Sequence, residues 1–146
     1  MEKVFVDTVY WIAAINPKDQ WAAAARAAKS QLGRQTLLIT TDEVLAEVLT
    51  AFSKKGRQPG REQGKRLRET VVEAVEKIRT NPNIEVIPQS RDSFDEGLRS
   101  YKSRIDKDYS LTDCISMNVM KSRSIQKILS ADHHFEQEGL TILMRE

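Results

Sequence analysis

The sequence has few of the residues that form disulfides and histidine-rich metal sites, with one cysteine, Cys114, and two histidines among 146 residues. A single cysteine excludes an internal disulfide and a cysteine-based metal knuckle. No apolar run reaches the roughly 20 residues of a membrane-spanning helix, and the first residues lack the layout of a signal peptide. Because repeats, linkers and low-complexity segments are also absent, we expect one cytoplasmic domain, residues 1–146, with no membrane association.

Charge of one sign does not dominate the chain, whose formal net charge is +2, but positive charge is concentrated in one stretch. Residues 53–68 contain seven Lys or Arg and one Glu, so the remainder of the chain is net negative. A basic stretch of this kind is compatible with a polyanionic partner, although a solvated charged face explains many such runs.

Short runs of β-branched and apolar residues alternate with amphipathic helical segments along the whole chain. The predicted strands contain the segments KVFVDT, TLLIT, NIEVIP, KILSA and TILM. Asn16 and Pro17 are predicted to open the second helix, and Thr40 with Glu43 forms a capping-box pattern for the third. Alternation of strands and helices predicts a parallel sheet covered on both faces, a three-layer α/β/α sandwich.

Acidic residues follow several of these strands. Asp7 ends the first strand, Asp132 follows the fourth closely, and Glu47 lies two turns into the helix that leaves the second. Because ligands of open parallel sheets bind at the carboxyl ends of the strands, we expect these three acids near one edge. Asp113 lies in the first turn of a later helix, and it joins them only if that helix begins at the same edge.

Each acid also has an ordinary structural explanation. Asp7 could bond a turn, Asp132 could cap the helical turn that follows it, and Glu47 could point outward. Asp113 could form a capping box with Ser110. Together, however, four converging carboxylates would repel one another unless a cation lay among them. Mg²⁺ and Mn²⁺ prefer such oxygen ligands, and sites of this kind activate a water and neutralise charge on a phosphoryl group. Together with the basic stretch, which could hold a phosphate backbone, this chemistry indicates phosphodiester hydrolysis.

At these residues the chain resembles the PIN-domain ribonucleases, and in particular the VapC-like toxin branch of toxin–antitoxin pairs. The motifs that carry the resemblance are VFVDT, TDEVLAEVLT, YSLTDCISMNVM and ILSADHHFEQEGL, and the similarity runs from about residue 3 to residue 143. It implies a PIN-like sandwich with strand order 3-2-1-4-5 and an endoribonuclease that uses Mg²⁺ or Mn²⁺. It also implies RNA as substrate, a small antitoxin protein as possible partner, and a homodimer.

The resemblance implies roles for individual residues. Asp7, Asp113 and Asp132 would hold the metal directly or through water, and Glu47 would bind metal or orient the attacking water. The hydroxyls of two further residues, Thr8 and Ser130, would hydrogen-bond the acids. Basic side chains that could guide RNA are Lys54, Lys55, Arg57, Arg61, Lys65 and Arg66.

Other interpretations of the sequence stay open or are disfavoured. A regulatory RNA-binding module without turnover and a housekeeping RNA-processing nuclease would share the fold. A phosphorelay receiver and a haloacid-dehalogenase-type phosphatase need acidic pairs near the first strand, where only Asp7 stands. His133 and His134 are too few for a zinc site and are predicted at the surface or beside the ligands. Asp106 and Asp108 could add a variable acid.

Overall fold

The computed structural model of the protein describes residues 1–55 and 61–145, except for the side chains of residues 54, 55 and 61. In chain order its elements are β1 (Lys3–Val6), α1 (Thr8–Ile15), α2 (Ala22–Ser30), β2 (Leu37–Thr41), α3 (Asp42–Lys55), α4 (Arg61–Thr80), β3 (Ile84–Ile87), α5 (Arg91–Ser103), α6 (Leu111–Ser122), β4 (Lys127–Leu129), α7 (His134–Gln137) and β5 (Thr141–Ile142). None of the helices within these ranges combines the length and apolarity needed to cross a membrane.

The five strands form one parallel sheet with the order β3-β2-β1-β4-β5. The predicted α/β fold class and the strand order 3-2-1-4-5 are therefore confirmed. β1 lies at the centre, where Val6 is in register with Leu129 of β4 and Phe5 is in register with Ile39 of β2. The carboxyl end of β1 is consequently flanked by the carboxyl ends of both neighbouring strands.

Helices cover both faces of the sheet. Three consecutive residues of β1, Val4, Phe5 and Val6, have no exposed surface. Because successive side chains of a strand point to opposite faces, full burial of all three requires packing on both sides. Ile128 and Leu129 of β4 are fully buried in the same way. The three-layer arrangement thus follows from the apolar runs recognised in the sequence.

Two predicted helix starts are displaced. Thr41, not Thr40, caps α3, because its hydroxyl accepts the Val44 N–H at 3.1 Å. Thr40 is still part of β2, where its hydroxyl donates to the Val6 carbonyl at 2.9 Å. Asn16 bonds the Lys18 N–H and makes a local turn. The second helix begins only at Ala22, so the predicted start at Asn16 and Pro17 is wrong.

α5 packs closely against α6 through a buried glycine. A Cβ atom at Gly97 would lie 2.5 Å from the side chain of Ile115, so any larger residue would push the two helices apart. The neighbouring face of α5 is apolar but exposed, with Phe94, Leu98 and Tyr101 each showing 39–50% of their surface. The contact at Gly97 fixes where α6 lies, and therefore where Asp113 lies.

Candidate functional site

Asp7 is buried at the carboxyl end of the central strand. Only 4% of its surface is exposed, and it precedes α1 as the residue at the helix N-cap. The Ser130 hydroxyl donates to its Oδ2 at 2.8 Å and accepts the N–H of Asp132 at 3.0 Å. Ser130 therefore ties the end of β1 to the turn that follows β4, and holds the Asp7 carboxyl in one orientation.

The environment of Asp7 disfavours its charged form. The pKa of Asp7 is raised to about 7, mainly because the carboxyl group is buried. The hydrogen bond from Ser130 acts in the opposite direction and lowers the pKa. Repulsion from Asp113 and Asp132 adds to the increase, and a backbone hydrogen bond from Thr8 opposes it. A carboxyl group with this pKa is half protonated near neutral pH unless a cation stabilises its charge.

Glu47 reaches the same edge from α3. The Thr8 hydroxyl donates to its Oε1 at 3.0 Å, which links the first residue of α1 to the second turn of α3. Glu47 is half-buried, and its charge contributes to the raised pKa of Asp113. The acid on α3 therefore faces the acids of the other elements and does not point outward.

Asp113 joins the group because α6 begins at the acidic edge. Its carboxylate accepts the Ser110 N–H at 3.1 Å while the Ser110 hydroxyl accepts the Asp113 N–H at 3.0 Å, a complete capping box. Burial is the main cause that raises its pKa, and the Ser110 bond lowers it. Repulsion from Asp132 and Glu47 also raises it, while His134 lowers it. The capping box and the acidic site thus share one residue.

Asp132 and His134 complete the group on the turn after β4. Asp132 Oδ1 accepts the backbone N–H of His134 at 2.9 Å. The imidazole Nδ1 lies 3.3 Å from Asp132 Oδ1 and 3.6 Å from Asp113 Oδ2. One ligand atom from each of Asp113, Asp132 and His134 lies within 4.8 Å of the others. The four acids predicted from the sequence therefore gather at one edge together with a histidine.

His134 was not among the candidate site residues inferred from the sequence. His133 does lie at the surface, 78% exposed and paired with Glu136 at 2.6 Å. His134 is only 29% exposed and faces Asp113 and Asp132. The available signal was its position two residues after Asp132, because an Asp side chain often accepts the backbone N–H two residues later and so holds that residue close to it.

Other candidate residues lie apart from the acids or beyond the described chain. Asp106 and Asp108 are exposed between α5 and α6 and are outside the group around His134. Lys65 and Arg66 are exposed on α4. Arg57 lies outside the described residues, as do the side chains of Lys54, Lys55 and Arg61.

The donor set fits a divalent cation. Four carboxylates meet here, and in the described part of the chain no lysine or arginine is ion-paired with any of them. The Nδ1 atom of His134 is buried and has no hydrogen-bond partner. Carboxylate oxygens suit Mg²⁺ and Mn²⁺, and imidazole nitrogen suits transition metals. The residues present could therefore hold either Mg²⁺ or Mn²⁺.

Comparison with known families agrees with the fold. The family model of the PIN domain matches residues 4–138. This chain therefore belongs to the PIN domain family, as the resemblance implied. A search of curated proteins finds no match.

Solved structures with the same fold include toxins of the VapC group. VapC20 of Mycobacterium tuberculosis, described as a toxin that cleaves the sarcin-ricin loop, is 23% identical with a TM-score of 0.79, over 97% of this chain and 99% of that chain. VapBC2 of Rickettsia felis, bound to a promoter DNA fragment, is 13% identical with a TM-score of 0.61. FitAcB of Neisseria gonorrhoeae is 12% identical with a TM-score of 0.59. These last two comparisons cover 96% of each chain.

Proposed function

We propose that this protein is a Mg²⁺- or Mn²⁺-dependent endoribonuclease in which Asp7, Glu47, Asp113 and Asp132 form the catalytic and metal-binding group. One observation carries the proposal. Carboxylates from four separate parts of the chain gather at one sheet edge, and no lysine or arginine of the described residues is paired with them. Membership of the PIN domain family gives independent support.

A bound divalent ion would supply the activated water and neutralise charge on the phosphoryl group. Asp113 and Asp132 would hold the ion, since their carboxylates flank the buried Nδ1 atom of His134. Ser130 keeps Asp7 pointing into the group. Thr8 occupies Oε1 of Glu47, which leaves Oε2 to accept a hydrogen bond from the attacking water and orient it.

The basic stretch would guide the RNA backbone towards the acids. α3 carries Glu47 and ends at Lys55, eight residues later, so the acidic and basic regions lie about 12 Å apart along one helix axis. Lys65 and Arg66 are exposed on α4 and would extend the same positive surface. Contacts of this kind to phosphates make binding weaker at higher salt.

We also propose that the protein is a toxin whose activity a small antitoxin protein controls. The sequence motifs are similar to the VapC-like branch, and the structural neighbour VapC20 is described as a toxin that cleaves the sarcin-ricin loop. The alternative, a housekeeping RNA-processing nuclease, has the same chemistry. A small antitoxin-like gene beside the gene for this chain, and loss of cleavage when its product is added, would distinguish a toxin from a housekeeping enzyme.

A homodimer is part of the proposal, with a second copy packed on the exposed face of α5. Phe94, Leu98 and Tyr101 lie about one helical turn apart on α5, Ile105 lies in the turn that follows, and all four are exposed. A continuous apolar strip of this kind is typical of an interface between subunits. Leu98→Glu should convert a dimer into a monomer in light scattering, whereas Arg99→Glu on the polar side should not.

Cleavage of total RNA by the full chain tests the central proposal. We expect products with 5′-phosphates in Mg²⁺ or Mn²⁺ and none in excess EDTA. Asp7→Asn should lower cleavage by roughly 100-fold or more. Loss of a residue that only hydrogen-bonds to a metal ligand costs about 10- to 100-fold in activity, and loss of a ligand itself should cost more. The exposed Asp106→Asn serves as a matched control and should cleave normally.

Two outcomes would contradict the proposal. Cleavage that persists in EDTA or in Asp7→Asn would mean that the acids do not carry the reaction. RNA binding by the wild-type chain without any turnover would instead support the regulatory RNA-binding module.

A further inference from the structure

We propose that His134 is a nitrogen ligand of the divalent metal ion, which it holds through Nδ1 together with Asp113 and Asp132. The inference rests on the proposed metal-dependent function and adds to it a ligand of different chemistry. It also makes Mn²⁺ the preferred ion, because imidazole suits transition metals whereas Mg²⁺ favours oxygen ligands.

Distances within the group suit adjacent ligands of one ion. Mg²⁺ and ions of similar size bind ligands at about 2.1 Å in octahedral geometry, so neighbouring ligand atoms lie about 3 Å apart. Nδ1 of His134 lies 3.3 Å from Asp132 Oδ1 and 3.6 Å from Asp113 Oδ2. Shifts of a few tenths of an ångström would bring the three atoms to a common ion.

The Nδ1 atom lies at ion-pair distance from Asp113 and Asp132 but has no hydrogen-bond partner among the described residues. It is fully buried, and it makes no hydrogen bond with any described residue, including the nearby Asp132 carboxylate. Buried polar atoms nearly always have a partner, and a site without one often marks a missing ion or water. Since both neighbours are carboxylates, a divalent cation bound between them would satisfy all three groups.

The imidazole is held in place from several directions. The backbone N–H of His134 donates to Asp132, and its ring packs against that of Tyr109 with centroids 5.3 Å apart. The next residue, Phe135, is completely buried and anchors the turn in the core. A ring fixed in this way meets the requirement that a metal ligand be oriented before the ion binds.

His133 provides a matched control in the same turn. Its ring is 78% exposed and is paired with Glu136, away from the acids. The chain contains no third histidine. Any imidazole nitrogen found on the metal of a His133→Gln variant must therefore come from His134.

Pulsed electron paramagnetic resonance of Mn²⁺ bound to the full chain tests the inference directly. We expect modulation from a coordinated ¹⁴N nucleus, which changes to the ¹⁵N pattern when only the histidines carry ¹⁵N. The signal should persist in His133→Gln and disappear in His134→Gln. Because labelled wild-type protein and His133→Gln suffice to assign the ligand, the test does not depend on the folding of the His134 variant.

Metal affinity gives a second readout that needs no RNA. His134→Gln should weaken Mn²⁺ binding by on the order of ten-fold or more, with a smaller effect on Mg²⁺ because the glutamine oxygen can replace the imidazole. His133→Gln should leave both affinities unchanged. Equal losses for the two ions in His134→Gln would overturn the assigned preference for Mn²⁺.

The outcomes separate this inference from the proposed function. Mn²⁺ that binds without any histidine coupling would overturn the role of His134 and leave the carboxylate site intact. No Mn²⁺ binding at all by the wild-type chain would overturn both the ligand and the proposed metal-dependent nuclease.

Discussion

Two clusters of ionisable side chains lie next to each other, and they differ in whether their carboxylates are paired with a basic side chain. In the paired cluster, formed by Arg104, Tyr109 and Glu138, the Arg104 guanidinium contacts the Glu138 carboxylate at 2.8 Å and the Tyr109 hydroxyl donates to it at 2.8 Å. The acidic cluster, formed by Asp7, Glu47, Asp113 and Asp132, gathers carboxylates without a basic partner from lysine or arginine in the described chain. His134, which lies beside Asp113 and Asp132, links the two clusters through its ring contact with Tyr109.

The pKa values show what the difference means. In the paired cluster the Arg104 hydrogen bond holds the pKa of Glu138 below its ordinary value. In the acidic cluster burial, with repulsion between neighbours, raises the pKa values of Asp7 and Asp113. A cluster that only stabilises the fold balances its own charges, whereas a binding site keeps an imbalance that its ligand relieves. Substitutions that neutralise one carboxylate in each cluster should therefore change the free energy of unfolding in opposite directions.

The largest expected effect is a gain in stability when Asp7 is neutralised in the metal-stripped protein. Because the folded pKa is raised from 3.8 to about 7, the folded state keeps a proton that the unfolded chain loses between these values. Wild-type stability should therefore fall as pH rises from about 4 to about 7. The difference corresponds to about 4 kcal/mol at most. Asp7→Asn should be more stable by up to this amount at pH 8 and nearly unchanged at pH 4, as measured by urea denaturation.

The exposed Asp106→Asn is the matched control for this comparison, and its stability should follow that of the wild type at each pH. If Asp7→Asn were less stable than the wild type at pH 8, the buried carboxylate would be stabilising the fold without a metal, as Glu138 does, and the contrast between the clusters would be lost.

The second effect is stabilisation by Mn²⁺ through the acidic cluster alone. An ion present at 100 times its dissociation constant stabilises the folded state by about 2.7 kcal/mol. Wild type and Glu138→Gln should both gain this amount at pH 7.5, since the paired cluster holds no ligand. Asp113→Asn should gain much less at the same concentration. Equal gains in Asp113→Asn and wild type, measured by thermal denaturation, would place the bound ion elsewhere.

Local patterns in the sequence were sufficient for most of the fold. Apolar runs such as VFV identify buried strands, because a strand whose successive side chains are all apolar can be buried on both faces. The alternation of such strands with helices then predicts a parallel sheet. The capping box of Ser110 and Asp113, which the sequence offered as an alternative explanation of Asp113, is equally local and is present in the structure. Thr40 and Thr41 show the limit of such patterns. Both can cap a helix, and the pairing of β2 decides which one does.

The acidic site could be predicted only in part, because its geometry depends on distant packing. Asp7 and Asp132 follow strands, so topology places them together. Asp113 lies there because α6 packs against α5 at Gly97, a contact that no local pattern specifies. The direction of the His134 ring depends on its contact with Tyr109, 25 residues away in sequence. Residues that complete a site from turns are therefore the ones that sequence patterns miss.

The third effect has the opposite sign to the first. Glu138→Gln should destabilise the protein by about 1 kcal/mol, because it removes the carboxylate charge that accepts a hydrogen bond from Arg104 and weakens the bond from Tyr109. The pair is partly exposed, which limits the loss. Urea denaturation at pH 7.5 measures it, with Glu96→Gln on the exposed surface of α5 as control. A gain in stability would show that this cluster, too, contains uncompensated charge.

The smallest effect is expected at a pair that is balanced but open to solvent. Arg123 donates two hydrogen bonds to Glu85, at 3.0 and 2.8 Å, and lowers the pKa of that carboxyl group. More than a third of each side chain is exposed, so water and salt already compensate most of the charge. Arg123→Gln should therefore cost about 0.5 kcal/mol or less.

Salt dependence separates this pair from the paired cluster. The loss of stability in Arg123→Gln should vanish in 1 M NaCl, where the Debye screening length is only about 3 Å. The cost of Glu138→Gln should largely remain, because its hydrogen bond from Tyr109 lies at a buried residue. If both costs vanished in salt, charge compensation at Glu138 would be no more than a surface effect. The acidic cluster would then differ from the rest of the molecule in its burial, and not in the absence of a partner.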